Sequence, residues 1–149
     1  MQRKLLTSAV TCSILAVVLI MIAGCKIQDP YRAAIRGSAD VSQAVSSGIK
    51  ITASYYSSGT FNDAQKATAA KYFGVVTECN MTFRKAVTDV HNAGLTGASA
   101  FLPIADSFVT CVSVGSPNLA DPKVANVLKA IDTAIRGISL AVSNAKGVQ

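Results

Sequence analysis

The sequence predicts an all-α protein, an up-down antiparallel four-helix bundle that follows an N-terminal signal peptide. Three observations predict it. Apolar residues after position 29 recur at helical spacing, with no sustained alternation of period two. Helix-start and helix-stop residues divide that stretch into four segments. The connections are short, which makes consecutive helices antiparallel neighbours. The chain has 149 residues, 50% of them hydrophobic and 15% charged. That is one domain with a sizeable core, and too apolar for a disordered chain. Its mean hydropathy of +0.40 is high, in part because of the N-terminus.

Residues 1–24 read as a targeting segment. Arg3 and Lys4 precede an uncharged run from Leu5 to Ala23, rich in Leu, Ile, Val and Ala. A basic start, an apolar stretch and small residues before a cut describe a secretory signal peptide. Ile22-Ala23-Gly24-Cys25 closes the run. This tetrapeptide resembles the lipobox of bacterial lipoproteins, with Ile where leucine is more usual. The resemblance covers the leader alone. It implies cleavage between Gly24 and Cys25 and a diacylglycerol on the Cys25 thiol. Each buried methylene contributes about 0.8 kcal/mol, so two or three chains hold durably where one does not. The competing reading is a retained transmembrane helix, since the 19 uncharged residues from Leu5 to Ala23 span about 28 Å. Both place residue 26 onward outside the cytoplasmic membrane. Lys26, rather than aspartate, follows the cysteine. By the same resemblance this favours the outer membrane in a cell that has one.

Residues 25–29 form a tether and 30–149 the bundle domain. Four extended residues between Cys25 and Asp29 reach about 14 Å at most. The bundle is therefore expected against the membrane, with Lys26, Arg32 and Arg36 near headgroups. Removing residues 1–24 takes Arg3 and Lys4 away, so 14 basic residues become 12 against 8 acidic ones, a formal charge of +4. The bases are scattered and no aromatic residues interleave with them, so no nucleic-acid partner is expected.

The first helix is expected from Pro30 to Ser57, capped by Asp29, with Pro at its first position. Its apolar stripe is Tyr31, Ile35, Val41, Val45, Ile49, Ala53 and Tyr56. Gly37 and Gly48 interrupt it, each at a cost of about 1 kcal/mol relative to alanine. Tyr55 and Tyr56 are expected to pack over the end of the bundle. The second helix runs from Asp63 to about Ala93, with Asn62 and Gln65 as a capping box and Gly94 as a left-handed stop. Tyr72, Val76, Cys79, Phe83, Ala86 and Val90 form its inner face. The third covers about Ser99 to Val114, with Phe101, Ile104, Phe108 and Cys111 inward and Pro103 near its first turn. The fourth starts at Pro122 after the Asp121 cap and ends near Lys146. Val124, Leu128, Ile131, Ile135, Ile138 and Val142 face inward. The third is about half as long as the second, so the bundle is uneven. Abundant small residues favour tight helix packing over a roomy cavity.

Cys12 leaves with the leader and Cys25 carries lipid, so Cys79 and Cys111 remain. Measured from the hairpin turn at residues 94–98, they stand at about 22 and 20 Å along the second and third helices. Antiparallel helices bring them level, and an oxidising compartment favours a disulfide. Closing that loop contributes roughly 3.5–4 kcal/mol.

Catalytic constellations are scarce. Ser47 with Lys50, and Ser143 with Lys146, match a serine–lysine spacing, but the companion elements of such acyl-transfer enzymes are missing. His91 is the single imidazole, placed in the last turn of the second helix, where a donor meets free carbonyls. Gly94-Leu95-Thr96-Gly97 matches no phosphate-binding fingerprint. No metal site or cofactor is expected. The expectation is a non-catalytic module in the cell envelope, held by lipid at Cys25, that binds another envelope protein or serves a structural role. The alternative is a small-ligand carrier or sensor, which predicts a cavity between the helices.

Overall fold

A computed structural model describes residues 29–118 and 120–145. The leader, Gly24, Cys25, the tether at 26–28, and Lys146 lie outside the described residues. Four helices and no strand occur among them: α1 Pro30–Ser57, α2 Asp63–Asn92, α3 Ala98–Gly115 and α4 Pro122–Asn144. The fold is an all-α four-helix bundle.

Each start is fixed by the residues the sequence offers. The Asp29 carboxylate accepts from the Tyr31 amide at 2.9 Å, and Asp121 accepts from the Lys123 amide at 2.8 Å. Proline follows both caps, where its missing N–H has no helical partner to lose. Asn62 and Gln65 exchange two hydrogen bonds of 2.9 Å, a complete capping box. Helix α3 starts without a side-chain cap, one residue earlier than expected. Pro103 consequently sits in its second turn, where it denies a bond to the Ser99 carbonyl. Helices α1 and α2 both end in a Schellman turn. Gly94 (φ 80°) sits left-handed, its amide donating to the His91 carbonyl and the Leu95 amide to that of Val90. Gly59 (φ 73°) does the same after α1.

Contacts across the helices fix the topology. On α1 and α2, Ser38 meets Asn80 and Gly48 meets Phe73. On α2 and α3, Val75 meets Gly115, Cys79 meets Cys111 and Phe83 stacks on Phe108. On α1 and α4, Gly37 meets Ile138 and Gly48 meets Ile131. Numbers that rise on one helix fall on its neighbour, so every adjacent pair is antiparallel and α4 closes the ring against α1. One end of the bundle therefore holds the start of α1, the α2–α3 turn and the end of α4. The other, distal end holds the α1–α2 and α3–α4 connections.

The inner faces of α2 and α4 match the expected stripes. All six expected α4 residues are buried, joined by Val127. On α2, Val87 is buried where Ala86 and Val90 are only partly so. Two corrections apply elsewhere. On α1 the inner row is Ala34, Ser38, Val41, Val45, Gly48 and Thr52; Ile49 (49% exposed), Ala53 and Tyr56 lie outside the core. On α3, Ala105 and Val112 are buried, while Ile104 is half-buried and Cys111 is exposed. The reason on α1 is proximity. A Cβ at Gly48 would lie 2.9 Å from a Phe73 ring carbon and 3.1 Å from Cδ1 of Ile131. Only a hydrogen fits there, so α1 turns its smallest residues inward.

Candidate functional site

Cys79 and Cys111 form a disulfide, with their Cα atoms 5.9 Å apart. Cys79 is buried in the α2 face, and Cys111 sits on the rim of the α2–α3 contact, open to solvent on one side. The bridge ties the shortest helix, 18 residues, to the longest, 30 residues.

The distal end carries an aromatic cluster. Phe61 folds back from the α1–α2 connection and is buried, with Tyr55 edge-on to it at 5.3 Å between ring centroids. The Tyr56 hydroxyl donates to Asp63 at 2.8 Å, and the Lys66 ammonium lies 3.8 Å from the Tyr56 ring centroid. The Asp63 carboxylate holds the Tyr56 phenol above its ordinary value, because ionisation would break that bond and set two negative charges together. Gln65 links the two distal connections by donating to Asp121 at 2.6 Å. That bond, with the Lys123 amide, lowers the Asp121 carboxyl. Tyr55 and Tyr56 do pack at the bundle end, yet each stays partly exposed, Tyr55 on the same flank of α1 as Ile51 and Tyr56 on the opposite flank with Ile49. Among the described residues, the distal half of α1 carries more exposed large apolar side chains than any other helix, divided between these two flanks.

Because α3 ends well below the start of α4, a shallow groove of about 390 Å³ opens beside α2 and α4. Tyr72, Val112, Ser113 and Leu128 line it, with Lys129 and Asp132 at its edge. It opens to solvent and is not a cavity enclosed by the four helices. Tyr72 is 3% exposed, and burial, reinforced by Asp132, pushes its phenol up to about 12. The sequence reading missed this groove, although the mismatch in helix lengths was its visible signal.

At the other end, the His91 ring stacks on Tyr31 with centroids 3.8 Å apart and planes 11° from parallel. Tyr31 lies in turn 6.4 Å from Phe101. His91 occupies the last turn of α2, as its sequence position indicates, but its partner is an aromatic face from α1. No hydroxyl hydrogen-bonds to it among the described residues. Ser47 and Lys50 are both exposed on α1 and make no bond with each other. Arg32 lies 3.6 Å from Asp29, which offsets the charge expected to meet headgroups.

The sequence reading also missed a buried polar contact. The Asn80 amide donates to the Ser38 carbonyl at 3.1 Å and to the Ser42 hydroxyl at 3.0 Å. Asn80 therefore serves the α1–α2 contact and is closed to modification, although Asn80-Met81-Thr82 has the form of a glycosylation acceptor. Among the described residues no three His, Cys, Asp or Glu side chains gather as metal ligands would. No protein-family model matches the chain, and no curated protein or solved structure matches it.

Proposed function

We propose that this chain is a lipid-anchored protein of the bacterial cell envelope whose helical bundle is a non-catalytic interaction or structural module. One observation carries the reading: Ile22-Ala23-Gly24-Cys25 stands directly after a basic start and an uncharged apolar run. A lipid on Cys25 then holds the bundle on the extracytoplasmic side, at the outer membrane in a cell that has one. The Cys79–Cys111 bridge supports the compartment, because disulfides persist where the surroundings are oxidising. The non-catalytic reading rests on the sequence, which lacks the companion elements of a serine–lysine enzyme around Ser47 and Lys50.

The partner surface in this reading is the distal half of α1, which exposes Ile49 and Tyr56 on one flank and Ile51 and Tyr55 on the other. The test is photo-crosslinking in living cells, with a photoreactive residue at position 49 and, as control, at position 107 on α3. A crosslinked species of one defined mass at position 49, and none at 107, is the expected result. No adduct at any exposed position of α1 would contradict the interaction role.

A further inference from the structure

The two ends of the bundle differ in a way that bears on how it meets a membrane. Residues 92–105, which make the α2–α3 turn and the first two turns of α3, contain no charged residue. Residues 137–145, the last turns of α4, contain none either. Both stretches lie at the end where α1 begins. The start of α1 adds the Asp29–Arg32 pair to that end, and Asp89, paired with Lys85, stands in the last turn of α2; the distal end carries Asp63, Lys66, Asp121 and Lys123.

The apolar residues that follow the two Schellman turns also behave differently. After Gly59, Phe61 returns to the core and is buried. After Gly94, Leu95 stays 52% exposed although its amide is fixed to the Val90 carbonyl. A rigid backbone thus holds a leucine out at the tip of the uncharged α2–α3 turn. Leu140, on the last turns of α4, is exposed as well.

The geometry points to this end as a membrane-contacting surface, with Leu95 seated in the interfacial region of a phospholipid bilayer. The inference rests on the proposed envelope anchor. What selects a bilayer as the occupant is the length of chain ahead of the bundle. Asp29 caps α1 beside His91, and only about 14 Å of extended chain separates it from Cys25. Helix α1 is 28 residues long, about 42 Å, so the distal end is out of reach when the bundle stands on the end where α1 begins. Lying on the α2 or α4 flank would press Lys85, Asp89, Lys129, Asp132 and Arg136 against the interface. Standing on the end where α1 begins presents serine, threonine, alanine and leucine of the α2–α3 turn instead, with the Asp29–Arg32 pair at one edge. An apolar residue at the headgroup–acyl boundary leaves water, and the stretch 92–105 around Leu95 holds no charge to be desolvated with it. The distal half of α1 is then directed away from the membrane.

The test uses the full chain, produced in bacteria, extracted from membranes and reconstituted into phosphatidylcholine vesicles with brominated acyl chains. An environment-sensitive dye is placed on Thr96→Cys beside Leu95, or on Lys123→Cys at the distal end. Bromine quenching severalfold stronger at position 96 than at 123 is expected, and Leu95→Glu should bring position 96 down to the level of 123. Equal quenching at the two sites overturns the proposal whether or not the variant folds. Strong quenching at 96 that survives Leu95→Glu, with helicity unchanged, overturns the role of the turn. The intact mass of the same sample reports the anchor separately. A retained leader would join the membrane at the same point of the chain, so loss of the lipid reading and loss of this contact give different results.

Discussion

A Cβ atom on Gly37 would stand 2.6 Å from Cγ1 of Ile138, closer than any packed side chain tolerates. Gly37 and Gly48 therefore set how near α1 comes to α4. Replacing a helical glycine by alanine ordinarily adds about 0.5–1 kcal/mol through reduced chain entropy. At Gly37 the added methyl meets a β-branched side chain near its root, and overpacking of this kind costs about 1–3 kcal/mol. Gly37→Ala is expected to lower stability in denaturant unfolding. Gly74→Ala, where nothing lies within 4 Å, is expected to raise it. Equal effects at the two positions would remove close approach as the reason for Gly37.

The disulfide makes a second measurable claim. Cys79 and Cys111 are 32 residues apart in sequence, and closing such a loop contributes about 3–4 kcal/mol by restricting the unfolded chain. Protein denatured without reductant should leave both thiols unmodified by an alkylating reagent, and prior reduction should expose both. The double variant Cys79→Ala, Cys111→Ser should lower the unfolding free energy by that amount, read as a downward shift of the denaturant midpoint. An unchanged midpoint would show that packing alone holds α3 in place.

Tyr72 gives the fold an alkaline limit. Its phenol is pushed up to about 12 from an ordinary 10.0, chiefly by burial. The neutral form is the one the fold accommodates. Stability is thus retained in full below pH 10 and declines as pH rises through 12, by about 2–3 kcal/mol for a shift of this size. Tyr72→Phe should flatten that decline in unfolding measured between these pH values. Tyrosinate absorbance should show one late-titrating residue in the parent that the variant lacks.

The caps, the turn glycines, the inner faces of α2 and α4 and the level of the two cysteines were legible in the sequence, because each is a local signal. Asn62 with Gln65, Pro122 after Asp121, and Gly94 have one strong structural use each. The distal half of α1 was not legible. Hydropathy favours Ile49 over Gly48 as a core residue, and nothing local announces that Phe73 and Ile131 will leave no room for a side chain. Asn80 was hidden for the same reason, since its burial depends on Ser38 and Ser42 reaching it from another helix. The exposed side of Cys111 was missed because a bridge requires a Cα spacing and does not require both partners to be inside. The unequal helix lengths were legible, but the groove beside Tyr72 depends on where α3 stops relative to α2 and α4, and length alone does not set that level.

The anchor is the claim on which the functional account stands, and the N-terminal peptide of the membrane-extracted protein tests it most directly. Mass spectrometry of that peptide should find Cys25 at the new N-terminus with a diacylglycerol on its sulfur, and Cys25→Ser should yield only the uncut precursor. A peptide that begins upstream of Gly24, or an unmodified Cys25 in protein released from the membrane, would contradict it.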